Sequence, residues 1–116
     1  MPTDTVICEA SVVDDDGASD SAQTSVVLLN RDPSILSVQL DTTVLYNDAL
    51  VSCSASVSDD DGETPSETVT WSIGGTTVGT DSTLQLDASM LSVGETLTCT
   101  VEVSDGYGGS DSDSTT

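Results

Sequence analysis

The 116-residue chain has no histidine, no lysine and no phenylalanine, and Arg31 is its single basic residue. Each absence excludes something. Without histidine or lysine, only carboxylates remain as general acids or bases. Paired carboxylates that cleave glycosides need an aromatic-lined cleft, and the only aromatics are Trp71, Tyr46 and Tyr107. The serines have no base beside them to activate a nucleophile. No enzyme is expected. A zinc site finds little support, since no histidine and no closely spaced cysteine pair occurs. No apolar run is long enough to span a bilayer, so no membrane insertion is expected. The opening Met1-Pro2-Thr3-Asp4 lacks the basic start and apolar stretch of a signal peptide. An exported form is therefore expected to be an excerpt of something longer.

What is present is acid. Twenty-one Asp and Glu against one Arg give a formal charge of −20. Such a chain repels nucleic acid and attracts cations and basic surfaces. High charge with few aromatics is also the signature of disorder. Here, however, β-branched residues are abundant and apolar residues alternate with polar ones, which is strand patterning. Residues 5–13 alternate, with Val6, Cys8, Ala10 and Val12 on one face. The acidic turn Asp14-Asp15-Asp16-Gly17 follows, then a second strand at 23–29, making a hairpin with a long loop. Asn30-Arg31-Asp32-Pro33 breaks the pattern and reads as a linker at 30–33.

Beyond the linker, residues 34–46 supply a first strand, interrupted near Asp41-Thr42. Strand patterns recur at 50–57, with Val51, Cys53, Ala55 and Val57 on one face, and at 68–73, with Val69, Trp71 and Ile73 inward. Further strands fall near 76–78, at 83–86 and at 96–103, where Leu97, Cys99, Val101 and Val103 face inward. The first and last stretches align at an offset of ninety-one residues. Cys8 meets Cys99, Asp14 meets Asp105, Gly17 meets Gly108, and nine of the twenty-five overlapping residues are identical. Residues 1–29 are therefore expected to be the last two strands of a preceding copy, and 34–116 a module of the same kind. By this offset the strand matching Val26, Val27, Leu28 and Leu29 begins at 117, so the module is expected to lack most of its final strand. Donation of Val26–Leu29 by a neighbouring chain is one way to fill the gap.

Cys53 and Cys99 bracket Trp71, each within an alternating run. This layout resembles the core of an immunoglobulin-like domain, a two-sheet Greek-key sandwich in which a cross-sheet disulfide packs on a buried indole. The resemblance implies a Cys53–Cys99 bond, which in a short, Ser/Thr-rich, lysine-free chain points to an oxidising, extracellular or cell-surface setting. It leaves Cys8 as a free thiol, an intermolecular partner or a competitor for Cys53. The stretches Cys53-Ser-Ala-Ser-Val-Ser-Asp-Asp-Asp-Gly62, Val69-Thr-Trp71-Ser and Cys99-Thr-Val-Glu-Val-Ser-Asp-Gly106 are similar to the tandem bacterial immunoglobulin-like (cadherin/PKD-like) repeats of large secreted or surface proteins. That class implies stalk, fibre or adhesin roles, with neighbouring repeats as head-to-tail partners. Two departures are visible: Leu97 stands where an antibody-type domain has its corner tyrosine, and the acidic loops differ between the two copies.

In such a sandwich the loops after the second and sixth strands share one pole with the start of the first. Asp32, Asp59, Asp60, Asp61, Asp105 and Asp111 are accordingly expected near one junction, where calcium, which takes six to eight oxygens on flexible loops, is the candidate ion. A second functional expectation is a surface glycan or protein ligand held by the same loops, with Tyr107 stacking on a sugar ring.

Overall fold

The computed structural model describes residues 1–116 and contains nine strands and no helix. Two compact units divide at the Asn30–Arg31 bond.

Unit 1, Met1–Asn30, is a two-stranded antiparallel hairpin of β1 (Thr5–Val13) and β2 (Ser19–Val27). Its ladder runs from Thr5 opposite Val27 to Val13 opposite Ser19. Beyond the strands the chain ends stay zipped, with Leu28 N–H donating to Asp4 O and Thr3 N–H donating to Leu28 O. The second strand thus begins at Ser19, four residues before the start expected at 23. All eighteen strand residues are exposed, because two strands alone have no second layer to cover either face.

Unit 2, Arg31–Thr116, holds β3 (Ser34–Leu40), β4 (Leu50–Ser58), β5 (Ser66–Ile73), β6 (Thr76–Gly79), β7 (Thr83–Gln85), β8 (Leu97–Ser104) and β9 (Ser110–Thr115). They form two antiparallel sheets, ordered β3-β4-β7 and β6-β5-β8-β9. Alternation decides which side chains go inside. Along β8, Leu97, Cys99, Val101 and Val103 are buried while Glu102 and Ser104 are exposed. Val69, Trp71 and Ile73 of β5 join them, and Val51, Cys53, Leu84 and Leu86 close the core from the other sheet's side. The two sheets thus cover one core, as in a β-sandwich. β3 ends at Leu40, and Asp41 stays tied to β4, its N–H donating to Ser52 O at 3.1 Å and its carboxylate accepting the Ser52 N–H at 2.9 Å.

One glycine is fixed by packing. A Cβ on Gly79 would stand 2.8 Å from Leu84 Cδ1 and 3.5 Å from the Trp71 indole. That space belongs to the core, so β6 lies close over the indole only because it lacks a side chain there.

The final strand carries no apolar signature. β9 pairs with β8 along its whole length, from Ser104 opposite Ser110 to Cys99 opposite Thr115. The chain thus places a six-residue strand at this edge. The stretch Ser110-Asp-Ser-Asp-Ser-Thr has no apolar face, so periodicity does not mark it as a strand. At a sheet edge it needs none, because the backbone ladder to β8 and one mostly solvated surface suffice.

Candidate functional site

The staple of unit 2 is a disulfide between Cys53 on β4 and Cys99 on β8, with Cα atoms 6.5 Å apart. The 46-residue separation gives a loop-closure contribution of about 4 kcal/mol in the chain-entropy model. Trp71 is fully buried and stands directly opposite Cys99 across the β5–β8 ladder. Its indole N–H donates to Asp81 O at 2.6 Å, which satisfies the one polar group it takes into the core. Cys8 is a free, exposed thiol.

The acidic loop between β4 and β5 brings three carboxylates together. Asp59 Oδ1 accepts the Asp61 N–H at 2.8 Å, and Gly62, at φ +85°, completes the turn by donating to Asp59 O. This turn sends Asp59 and Asp61 the same way, and Glu63 follows them. One oxygen from each lies within 4.8 Å of the others. Two oxygens bound to one calcium ion at 2.3–2.6 Å from it stand at most roughly 5 Å apart, so the spacing fits. Asp59 Oδ2 and both Glu63 oxygens are shielded from solvent and accept no hydrogen bond. Glu63 titrates above the ordinary glutamate range, first because of burial and then because of the charges of Asp59 and Asp61. Crowded, under-satisfied carboxylates of this kind suit a hard cation with oxygen ligands. The donor set has neither the nitrogen nor the sulfur that zinc prefers.

The only arginine also bears on this loop. Arg31 N–H donates to Asp61 Oδ2 at 2.6 Å, its guanidinium Nη1 lies 3.7 Å from Asp61 Oδ1, and the same Nη1 donates to Asp60 O. Asp61 is therefore shared between the carboxylate group and the start of unit 2.

Of the six aspartates expected at this pole, Asp59 and Asp61 converge. Glu63 joins them, and its sequence signal is the Asp59-x-Asp61-x-Glu63 alternation just past the turn. Asp60 and Asp32 are exposed. Asp105 Oδ1 accepts the N–H groups of Tyr107 and Gly109, holding the β8–β9 turn. Asp111 Oδ2 accepts the Ile35 N–H at 2.8 Å, so the β8–β9 hairpin is tied to the start of β3. The start of unit 2 meets Asp61 through Arg31 and Asp111 through Ile35, and these aspartates do separate jobs. Tyr107 sits partly exposed at the hairpin tip.

The ninety-one-residue offset reappears as geometry. Cys8 opposite Thr24 and Val13 opposite Ser19 in unit 1 correspond to Cys99 opposite Thr115 and Ser104 opposite Ser110 in unit 2. The turns also correspond. Asp14 Oδ1 accepts from the N–H groups of Asp16 and Ala18, as Asp105 Oδ1 does from Tyr107 and Gly109. Asp14 N–H donates to Ala18 O, as Asp105 N–H does to Gly109 O. Val26 and Val27 belong to this ladder, paired with Val6 and Thr5. They are held as part of a hairpin and not as a loose single strand.

No protein-family model, curated protein or solved structure matches the chain.

Proposed function

We propose that this chain is a non-catalytic structural repeat of an extracellular or cell-surface fibre, stalk or adhesin. Its modules are immunoglobulin-like Greek-key sandwiches joined end to end, in one tandem chain or through hairpins exchanged between chains. The observation that carries this reading is the duplicated hairpin, with the same register and the same aspartate-held turn in both units. A protein built by repetition is expected to carry such copies. The strand orders β3-β4-β7 and β6-β5-β8-β9, with a disulfide between the two sheets beside a buried tryptophan, support the immunoglobulin-like assignment. The disulfide supports an oxidising location.

Calcium at Asp59, Asp61 and Glu63 is part of the proposal. The ion neutralises three crowded carboxylates beside Arg31, where the first strand of the module begins. Its role there is to stiffen the point at which one module starts. Negative-stain imaging of the chain at high concentration in calcium tests the assembly. Particles with a regular axial repeat are expected, and isolated compact particles at every concentration refute end-to-end joining.

A further inference from the structure

One face of the unit 1 hairpin matches, position by position, a face that is buried in unit 2. On β8, Leu97, Cys99, Val101 and Val103 are buried under β4 and β7, with Cys99 bonded to Cys53. At the matching positions of β1 stand Val6, Cys8, Ala10 and Val12, all exposed. On β9, Asp111 reaches the Ile35 N–H of β3. At the matching position of β2 stands Asp20, whose Oδ1 accepts the Ser21 N–H just as Asp111 Oδ1 accepts that of Ser112. The hairpin therefore carries the apolar row, the thiol and the carboxylate that seat β8–β9, in the same register.

We propose that residues 3–29 are a preformed two-strand plug. Its occupant is the remainder of another copy of this module, equivalent to 34–85, whose own last hairpin is not in place. In the joined state the β4-type cysteine of that copy bonds Cys8, and the β3-type N–H donates to Asp20. This rests on the structural-repeat reading and adds the residues through which repeats join. Val6 is smaller than Leu97 and Ala10 smaller than Val101, so β8–β9 holds its own seat and the plug enters only one that is vacant. The covalent step uses a disulfide oxidant such as oxidised glutathione. One thiolate attacks it to form a mixed disulfide and releases one glutathione. The second thiolate then displaces the other, so two protein thiols are oxidised and one oxidised glutathione becomes two reduced.

The test uses the full chain with Cys99→Ser and Val101→Asp, the second of which puts a charge into the buried row of β8 and empties the seat, refolded in a glutathione redox buffer. Trypsin cuts after Arg31, the single basic residue, and so separates the hairpin from the module. Mass analysis without reduction is expected to show residues 1–31 joined to 32–116 through Cys8 and Cys53, a species absent from the unsubstituted chain. Size before cleavage is expected to be that of two chains or more; the same bond in a monomer shows joining within one chain and overturns the choice of another copy as occupant. Adding Val12→Asp puts a charge into the buried row and should lower the yield of this species at least about tenfold. A yield that Val12→Asp leaves unchanged marks chance pairing of an unfolded chain and overturns the proposal, as do Cys8–Cys8 or Cys53–Cys53 dimers alone or thiols that stay free. Those results would leave the repeat-module reading intact, because that reading falls on the imaging result instead.

Discussion

Asp111 on the last strand accepts the backbone N–H of Ile35 on the first strand of the same module, across seventy-six residues of sequence. The contact closes the sandwich at the end where β9 leaves the β8–β9 turn. The Ile35 N–H, followed by that of Ser112, holds the Asp111 carboxyl below the ordinary aspartate range, against the opposing effect of desolvation.

A group with a depressed folded-state pKa adds stability that is present above its unfolded value and lost as pH falls through the folded one. Asp111→Ala should therefore lower the melting temperature at neutral pH. The difference from the unsubstituted chain should shrink as pH drops below about 4, the unfolded aspartate value. Asp111→Asn, which keeps an acceptor oxygen, should recover part of the loss. Thermal melts across pH, followed by Trp71 fluorescence, measure it. An Ala variant that melts with the unsubstituted chain at neutral pH would show that the contact contributes nothing.

Glu63 gives the opposite sign. Its folded-state pKa is raised, so its contribution to stability is complete below the ordinary glutamate value and is lost as pH rises through the elevated one. In chelator at neutral pH, Glu63→Gln should melt higher than the unsubstituted chain. In calcium the order should reverse, because the unsubstituted chain gains stability by mass action and the variant has lost a ligand. Calcium affinity should weaken as pH falls through the Glu63 titration, since the carboxyl must release its proton to bind. Calorimetric titration reads the affinity, and equal melting temperatures with calcium and with chelator would remove the metal from the proposal.

The third prediction concerns packing. Gly79→Ala pushes a methyl to within 2.8 Å of Leu84 Cδ1, and over-packing of this kind costs about 1–3 kcal/mol. Leu84→Val takes away the offending branch, so the double variant should be less destabilised than the two single losses added together. Urea denaturation of the four chains gives the coupling directly, and strict additivity would show that the two residues do not compete for space.

Much of this architecture was legible because burial and alternation coincide. Val51, Cys53, Val69, Trp71, Ile73, Leu97, Cys99, Val101 and Val103 announce an inward face, and all of them are buried. The division near Arg31 follows from the proline and polar residues that break the pattern there. β9 was not legible, because a solvated edge strand is held by backbone bonds and leaves no apolar trace. The acidic tetrapeptide was ambiguous for a related reason. Asp14-Asp15-Asp16-Gly17 and Asp59-Asp60-Asp61-Gly62 are the same sequence, and each is folded by its first aspartate accepting from the N–H two residues on. The first turns a hairpin within one sheet, while the second carries the chain from one sheet to the other. Only the second places a glutamate beside its aspartates, because Glu63 follows Gly62 where Ala18 follows Gly17, so the difference lies in the next residue and not in the four.

β9, the last strand of its sheet, alternates serine with Asp111 and Asp113, the first of them tied to the Ile35 N–H of β3. On a molecule of charge −20, two copies meeting along this edge bring rows of like charge together before any backbone bond can form. Sideways growth of sheet onto sheet, the first step towards insoluble aggregates, is therefore opposed electrostatically at neutral pH. Acid or high salt, by neutralising or screening the carboxylates, lifts that opposition.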